Sequence, residues 1–346
     1  MRSYLVQRTA ADTPQADGRN TADGRMDEHE DVSVIEPKLA FVVATKDRPQ
    51  PLRRMLKSLS EQSRVPDRVV IIDASESPNP DITDLYPDLE IMYIHHHPPN
   101  ISRQRNLGVK KAEVDNGLIG FLDDDIELLP DAVENMLTFW ASGTEDVGGA
   151  AFNMLNHPRP VAGSLKRLPL VEELGLYSRK RGAVLSSGFQ TMIGKVGEDR
   201  YVSWLPTTAV VWRNHIFENF RMDERLSGFS YLEDLDFSYR VGKSYRLLVL
   251  ADACYYHYPD LDKNWDDYGF GKKEVFNRIY FVNKFREFSL PKCYLGLSVR
   301  ALINLVSFFR ERRTKWIKRA FGNSVGLART VFYVLTGGKL DDIPGW

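Results

Sequence analysis

The chain has 346 residues, 43% hydrophobic, 27% charged and 11% aromatic, enough to bury a large core as one large domain or two smaller ones. A formal net charge of -1 gives no global case for nucleic-acid binding, and the two cysteines, Cys254 and Cys293, form no CxxC pair and no disulfide framework. No apolar stretch of signal-peptide length opens the chain and no uninterrupted apolar run of about 18 residues suggests a spanning helix, so a cytoplasmic protein is expected.

Residues 1–37 are polar, charged and without period, and read as a disordered leader. From Leu39 short apolar runs alternate with helical periodicity. "LAFVVA" (39–44) is a continuous run of the kind a strand buried on both faces shows. Leu52, Met55, Leu56 and Leu59 then fall at i, i+3, i+4 and i+7, one face of a helix. "RVVIID" (68–73) and "EIMYIH" (90–95) are the next strands, a helix follows over Ile101–Ala112, and "LIGFL" (118–122) is the fourth strand. Pro130 is placed as a first helical residue, with Val133, Met136, Leu137 and Trp140 tracing the buried face. Further on, "YVSWLPTTAVVWR" (201–213) reads as extended, "EDLDFSYRVGK" (233–243) as helical and "RLLVLADACYYHY" (246–258) as extended. Beyond Asp266 the pattern is mainly helical. Strand–helix alternation implies a largely parallel α/β sheet with right-handed crossovers.

Ligands of such sheets bind outside the carboxyl ends of the strands, so the residues just after each strand carry the information. They are "TKDRP", "DASES", "HHHPPN" and "DDD". Asp123, Asp124 and Asp125 form a run of like charges that repels itself. Either it is a solvated turn, or a cation offsets the repulsion. Hard cations such as Mg²⁺ and Mn²⁺ take carboxylate and phosphate oxygens, and Asp123 and Asp125, at i and i+2, can aim two carboxylates into one mouth. No GxxxxGK[ST] or GxGxxG string appears, so a bound diphosphate would depend on a metal rather than on a glycine cradle.

A second acidic group, Glu233, Asp234 and Asp236, opens the helix after Gly228. Acids at a helix start suit its dipole; alternatively one of them is a general base for a hydroxyl proton. Arg240 reads as a phosphate or carboxylate partner or a surface residue. The triple histidine His95–His97 beside prolines reads as an exposed loop rather than a metal site. Trp204 either stacks on a sugar face or belongs to the core, and Tyr255, Tyr256 and Tyr258 divide between sheet packing and pocket lining.

"FVVATKDRP", "VVIIDASES", "NISRQRNLGVKKA", "FLDDDIELLPDAVENML" and "YLEDLDFSYRVGK", in that order, resemble an inverting nucleotide-sugar glycosyltransferase of family 2. The resemblance implies a GT-A (Rossmann-like) α/β fold, a mixed, mostly parallel sheet with helices on both faces, followed by a mainly helical C-terminal region. It implies a catalytic domain over 38–260, with a nucleotide-binding half (38–127) and an acceptor half (128–260), then a helical region over 261–346. By the same resemblance Thr45 and Asp73 hold the nucleotide base, and Arg105, with Arg103 as the alternative, contacts the nucleotide. Asp123 and Asp124 join the donor site, Asp123 at the ribose. Asp125, with Asp123 and His257, holds Mn²⁺ or Mg²⁺ on the diphosphate. Asp234 is the base, beside Glu233. The partners implied are a nucleotide-sugar donor, UDP before dTDP or GDP, and a glycan or lipid-linked hydroxyl acceptor. Two departures stand out: "DASE" replaces the usual "DDGS" or "DNGS", and "SWLPTTAVVW" brings Trp204 and Pro206 where small residues usually face the sugar. A nucleotidyltransferase on the same fold and a non-catalytic carbohydrate-binding relative are the alternatives.

From Lys292 to Lys339 ten basic residues face the single acid Glu311, a charge of +9 interspersed with Leu, Ile, Phe and Trp. Residues 294–335 therefore read either as helices packed on the catalytic domain or as a peripheral contact with the cytoplasmic membrane face.

Overall fold

The computed structural model describes residues 37–112, 114, 117–158, 169–226, 231–259 and 266–340. All but the last residue of the expected leader lies outside them. Strands β1 (Leu39–Thr45), β2 (Arg68–Asp73), β3 (Ile91–His95) and β4 (Leu118–Asp123) run parallel in the order β3-β2-β1-β4. The sheet continues through β8 (Ala209–Arg213), β6 (Val147–Met154), β9 (Arg246–His257) and β5 (Ile126–Leu128), with β7 (Arg200–Val202) pairing β9. β8 is antiparallel to both β4 and β6, while β9 is parallel to β6, so β9 points the same way as β1–β4. The sheet is mixed, and the two expected halves share it through the β4–β8 pairing.

β1 shows why its run is continuous. Leu39, Phe41 and Val43 enter one core and Ala40 and Val42 the other, because helices cover both faces. On the first face lie α1 (Pro49–Ser60) and α3 (Ala132–Ala141), through Leu52, Met55, Leu56 and Leu59 and through Val133, Met136, Leu137 and Trp140. On the second lies α2 (Ile101–Ala112). Gly108 makes its approach possible: a Cβ there would stand 2.2 Å from Cγ1 of Val42. The short helices α4 (Pro169–Glu173) and α5 (Ile216–Asn219) lie between strands, and α6 (Glu233–Val241) sends Leu235, Phe237 and Val241 into the second core.

Two local expectations change. Pro130 is not the first residue of α3; Asp131 is its N-cap, and the Pro130 carbonyl instead accepts the Ser63 N–H at 2.9 Å. Residues 201–213 are not one extended piece. Pro206, which has no N–H to give a ladder, lies in the connection between β7 and β8. The C-terminal region is helical as expected, in α7 (Asp267–Asn283), α8 (Leu290–Glu311) and α9 (Thr314–Leu335). α8 is long and apolar enough, by length and composition alone, to cross a membrane, with mean hydropathy 1.3. Counting uninterrupted apolar residues missed it because Lys292, Ser298, Arg300, Asn304 and Ser307 break the run.

α7 and α9 run side by side in the same direction, backbone against backbone: a Cβ on Gly322 would lie 2.2 Å from the Tyr268 carbonyl oxygen, and one on Gly271 2.4 Å from that of Arg319. α8 and α9 form an antiparallel hairpin turned at Arg312, which holds φ 56, with Asn304 bonded to Asn323 at 2.8 Å. The node of this bundle is Glu274, buried on α7, which accepts from Arg300 at 3.1 Å, from Arg319 at 3.1 and 3.2 Å and from Asn323 at 3.1 Å.

Candidate active site

The parallel register aligns the strand ends. Thr45 of β1 stands opposite Asp73 of β2, and Ala44 opposite Asp123 of β4. Gln104 of α2 stitches two of these ends together, its Nε2 donating to the carbonyls of Thr45 at 3.0 Å and Ile72 at 2.8 Å. β4 closes on Asp123, the chain turns through Asp124 and Asp125, and β5 pairs with β9, placing His257 opposite Ile126.

The three aspartates find cationic partners within the protein, and that offsets their repulsion. Asp124 is buried; it accepts from the Thr45 hydroxyl at 2.6 Å and from Nη1 of Arg48 at 2.5 Å. Arg48 also reaches Asp125 through Nη2 at 2.8 Å, and Asp125 meets Nε2 of His257 at 3.0 Å. Asp123 pairs with Nη2 of Arg105 at 2.8 Å. An arginine from "TKDRP" is thus an internal cation for the run. Neither a solvated turn nor a metal alone accounts for it.

The charges respond to these partners. Burial pushes Asp124 up to about 7, against the pull of Arg48 and Thr45. Burial also works against the charge on Asp125, yet His257 and Arg48 hold it below the usual carboxylate range. His257 loses water as well, but its hydrogen bond to Asp125 keeps it above the ordinary histidine value. Asp123, Asp125 and His257 each offer one ligand atom within 4.8 Å of the others; among the described residues no second such group converges. The triple histidine does not: His95 bonds the Ser75 carbonyl at 2.9 Å and His97 pairs with Glu76 at 3.3 Å.

Arg105, 3% exposed, links this cluster to the second acidic group, because its Nη1 meets Glu233 at 3.1 Å. Glu233 begins α6 after Leu232, a buried non-glycine residue at φ 78, a conformation that costs about 1–3 kcal/mol and sets the angle at which the helix enters the site. Loss of water raises the carboxyls of both Glu233 and Asp234, and for Glu233 the neighbouring Asp234 charge adds to it. Asp236 turns away from this edge, to Arg240 and Lys284.

Asp73 is buried and accepts from the Ser75 hydroxyl, the Ser75 N–H and the Tyr93 hydroxyl. Arg103 faces elsewhere, paired with Glu224 at 2.9 Å. Trp204 is not an open stacking face: it packs in the second core with its indole N–H on the Thr191 carbonyl at 3.1 Å. Tyr255 is buried, whereas Tyr256 and Tyr258 are exposed. Sequence reasoning missed Arg48, Gln104 and Tyr93. Arg48 had a usable signal, a cation just past a strand at the acidic edge; Gln104 and Tyr93 had only their periodic positions.

Residues 40–181 match the Glycosyl transferase family 2 model. The chain is 36% identical over 106 residues to the uncharacterized glycosyltransferase YwdF of Bacillus subtilis (strain 168), a match over 29% of this chain and 37% of that protein. It therefore spans little more than a third of that curated relative. Among solved structures, GalNAc-T7 with UDP, GalNAc and Mn²⁺ superposes with a TM-score of 0.57 at 14% identity, covering 88% of this chain and 59% of that one. S. aureus TarS 1–349 gives 0.49 at 16% identity, covering 86% and 92%. At such identities the likeness to GalNAc-T7 is one of fold.

Proposed function

The chain carries a family 2 glycosyltransferase domain over residues 40–181, and from that premise we propose that it moves a sugar from a nucleotide-diphosphate donor to a hydroxyl acceptor with inversion at the anomeric carbon. The observation that carries this reading is one connected arrangement at the carboxyl edge of the sheet: Asp123, Asp125 and His257 converge, and Arg105 joins Asp123 to Glu233 beside Asp234. The catalytic unit is taken as 38–260, with the helical region 261–346 behind it.

Thr45 and Asp73, at paired strand ends, are the proposed contacts of the nucleoside base, and the Tyr93 hydroxyl donates to the Asp73 carboxylate. UDP is the favoured nucleotide, from Asp73 and from the UDP in GalNAc-T7, a protein of the same fold. Two carboxylates and an imidazole nitrogen fit a divalent cation, with the nitrogen favouring Mn²⁺ over Mg²⁺. Such an ion, when bound, supplies charge neutralisation to the departing diphosphate. Asp234 takes the proton from the acceptor hydroxyl as that oxygen attacks from the face opposite the leaving group. Loss of water raises its pKa, which makes it a stronger proton acceptor than a solvent-exposed aspartate. Arg105 bridges Glu233 and Asp123, so that one cation offsets part of the negative charge of the edge before substrate arrives.

The test is turnover with a panel of nucleotide sugars, with Mn²⁺ or chelator, reading nucleotide diphosphate release and product anomeric configuration by NMR. Metal-dependent diphosphate release with inversion is expected. Pyrophosphate release from a nucleoside triphosphate would make the chain a nucleotidyltransferase, and binding without turnover would make it a carbohydrate-binding protein.

A further inference from the structure

The outer sides of α8 and α9 form one apolar face. On α8, Leu295, Val299, Leu302, Val306 and Phe309 recur at three- and four-residue spacing and are exposed. On α9, Phe321 is 62% exposed, Phe332 69% and Leu335 80%, again on one stripe. Exposed apolar area of this extent marks a surface that meets something. At one end, around the turn between the helices, stand the exposed Arg310, Arg312, Arg313 and Lys318, with Glu311 as the only acid from Lys292 to Lys339.

We propose that this two-helix face seats the protein on an anionic membrane surface, with α8 lying flat rather than crossing. At about 1.5 Å per residue the 22-residue helix would be about 33 Å long, enough to span a hydrocarbon core of about 30 Å. Its inner side forbids this. Arg300 is tied to buried Glu274, and buried Asn304 to buried Asn323, so a crossing would break both contacts and carry Arg300 and Asn304 into lipid. Lying in the interface, the same helix keeps those polar contacts inside the protein and gives only its apolar side to the acyl chains. The charge selects the occupant. A second copy meeting this face would bring the same basic rim, whereas an anionic bilayer offers apolar depth and opposite charge together.

The face is connected to the chemistry. On α7, which packs against α9, Asn277 donates to the Tyr231 carbonyl at 2.8 Å and Arg278 to the Tyr231 hydroxyl at 2.9 Å, just ahead of α6. A lipid-linked hydroxyl acceptor follows, and that consequence alone rests on the glycosyl-transfer reading. The docking itself stands on the helices.

The experiment is co-sedimentation of the full chain with phosphatidylglycerol or phosphatidylcholine vesicles at low and high salt. It includes the pairs Phe321→Glu with Phe332→Glu and Arg312→Glu with Arg313→Glu. All four positions are exposed, and circular dichroism checks that the variants fold. The full chain is expected to bind phosphatidylglycerol at low salt, weaken with salt without vanishing, and lose about tenfold or more in affinity with either pair. Absence of binding at low salt, or phosphatidylglycerol binding unaltered by either pair, overturns the proposal. So does a dimer in sedimentation velocity that the phenylalanine pair dissociates while vesicles are ignored. Turnover of a water-soluble acceptor, measured in parallel, reports on glycosyl transfer separately.

Discussion

Asp123 and Glu233, at the end of β4 and the start of α6, are held by the two terminal nitrogens of the same guanidinium, that of Arg105. Asp123 and the acid pair that contains the proposed base are therefore one electrostatic unit. Arg105→Met should leave Glu233 buried without its cation and destabilise the fold by about 3 kcal/mol or more. Arg105→Lys keeps the charge but cannot reach both acids as a planar fork does, so it should recover most of the stability and little of the turnover. Denaturant unfolding and steady-state kinetics on the two variants check this. Equal turnover in Arg105→Lys and the parent would show that the fork has no part in the chemistry.

For Asp125→Asn, turnover should be lost. Read as an isolated run of repelling acids, this position predicts no cost in stability. The pairing with Arg48 and His257 changes the expectation to a loss of about 1–2 kcal/mol. In the parent, Mn²⁺ and UDP added together should raise Tm, as ligand linkage adds about 2.7 kcal/mol of stability at a hundredfold excess over Kd, and the variant should lack this shift. Full activity of Asp125→Asn in chelator would remove the metal from the proposed reaction.

Replacing the proposed base separates binding from chemistry. Asp234→Asn should keep donor affinity within a fewfold while kcat falls by roughly 10²–10⁴-fold. An equal fall in nucleotide affinity, measured by calorimetry, would instead make Asp234 an acid that serves only the start of α6, where it accepts the Leu235 N–H at 2.7 Å.

The C-terminal bundle gives a pH prediction. Burial works against the charge of Glu274, but Arg300 and Arg319 outweigh it and hold its pKa below the ordinary 4.5. A lowered folded pKa contributes stability above the unfolded value, and that contribution is lost as pH falls through the folded value. Glu274→Gln should therefore cost about 3 kcal/mol at neutral pH, at the low end for a buried pair because both arginines partly reach water. The gap between parent and variant should narrow as pH drops below about 4.5. A gap constant from pH 7 to 3, by thermal melts, would show that the ion pairs contribute nothing.

The strand and helix frame was legible where burial is one-dimensional. β1 and β2 carry unbroken apolar runs because both their faces are covered, and α1 repeats its apolar residues with the helical period. Asp123 and Asp125 were legible because they end and follow a strand, whereas His257 came only from the family resemblance. Trp204 was not, since a strand-end tryptophan reads the same whether it faces a sugar or Thr191. Nor was Arg48, whose partners lie across the sheet edge and have no sequence spacing to announce them. α8 escaped a run count for a different reason: Lys292, Ser298, Arg300, Asn304 and Ser307 interrupt a helix that is apolar on average.

The seam between α7 and α9 has a mechanical consequence. Where Gly271 and Gly322 meet, no side chains separate the two backbones, so there is nothing between the helices to compress or re-pack. Such a joint transmits rotation without play. On the far side of that contact α7 holds Tyr231, just ahead of α6, through Asn277 and Arg278.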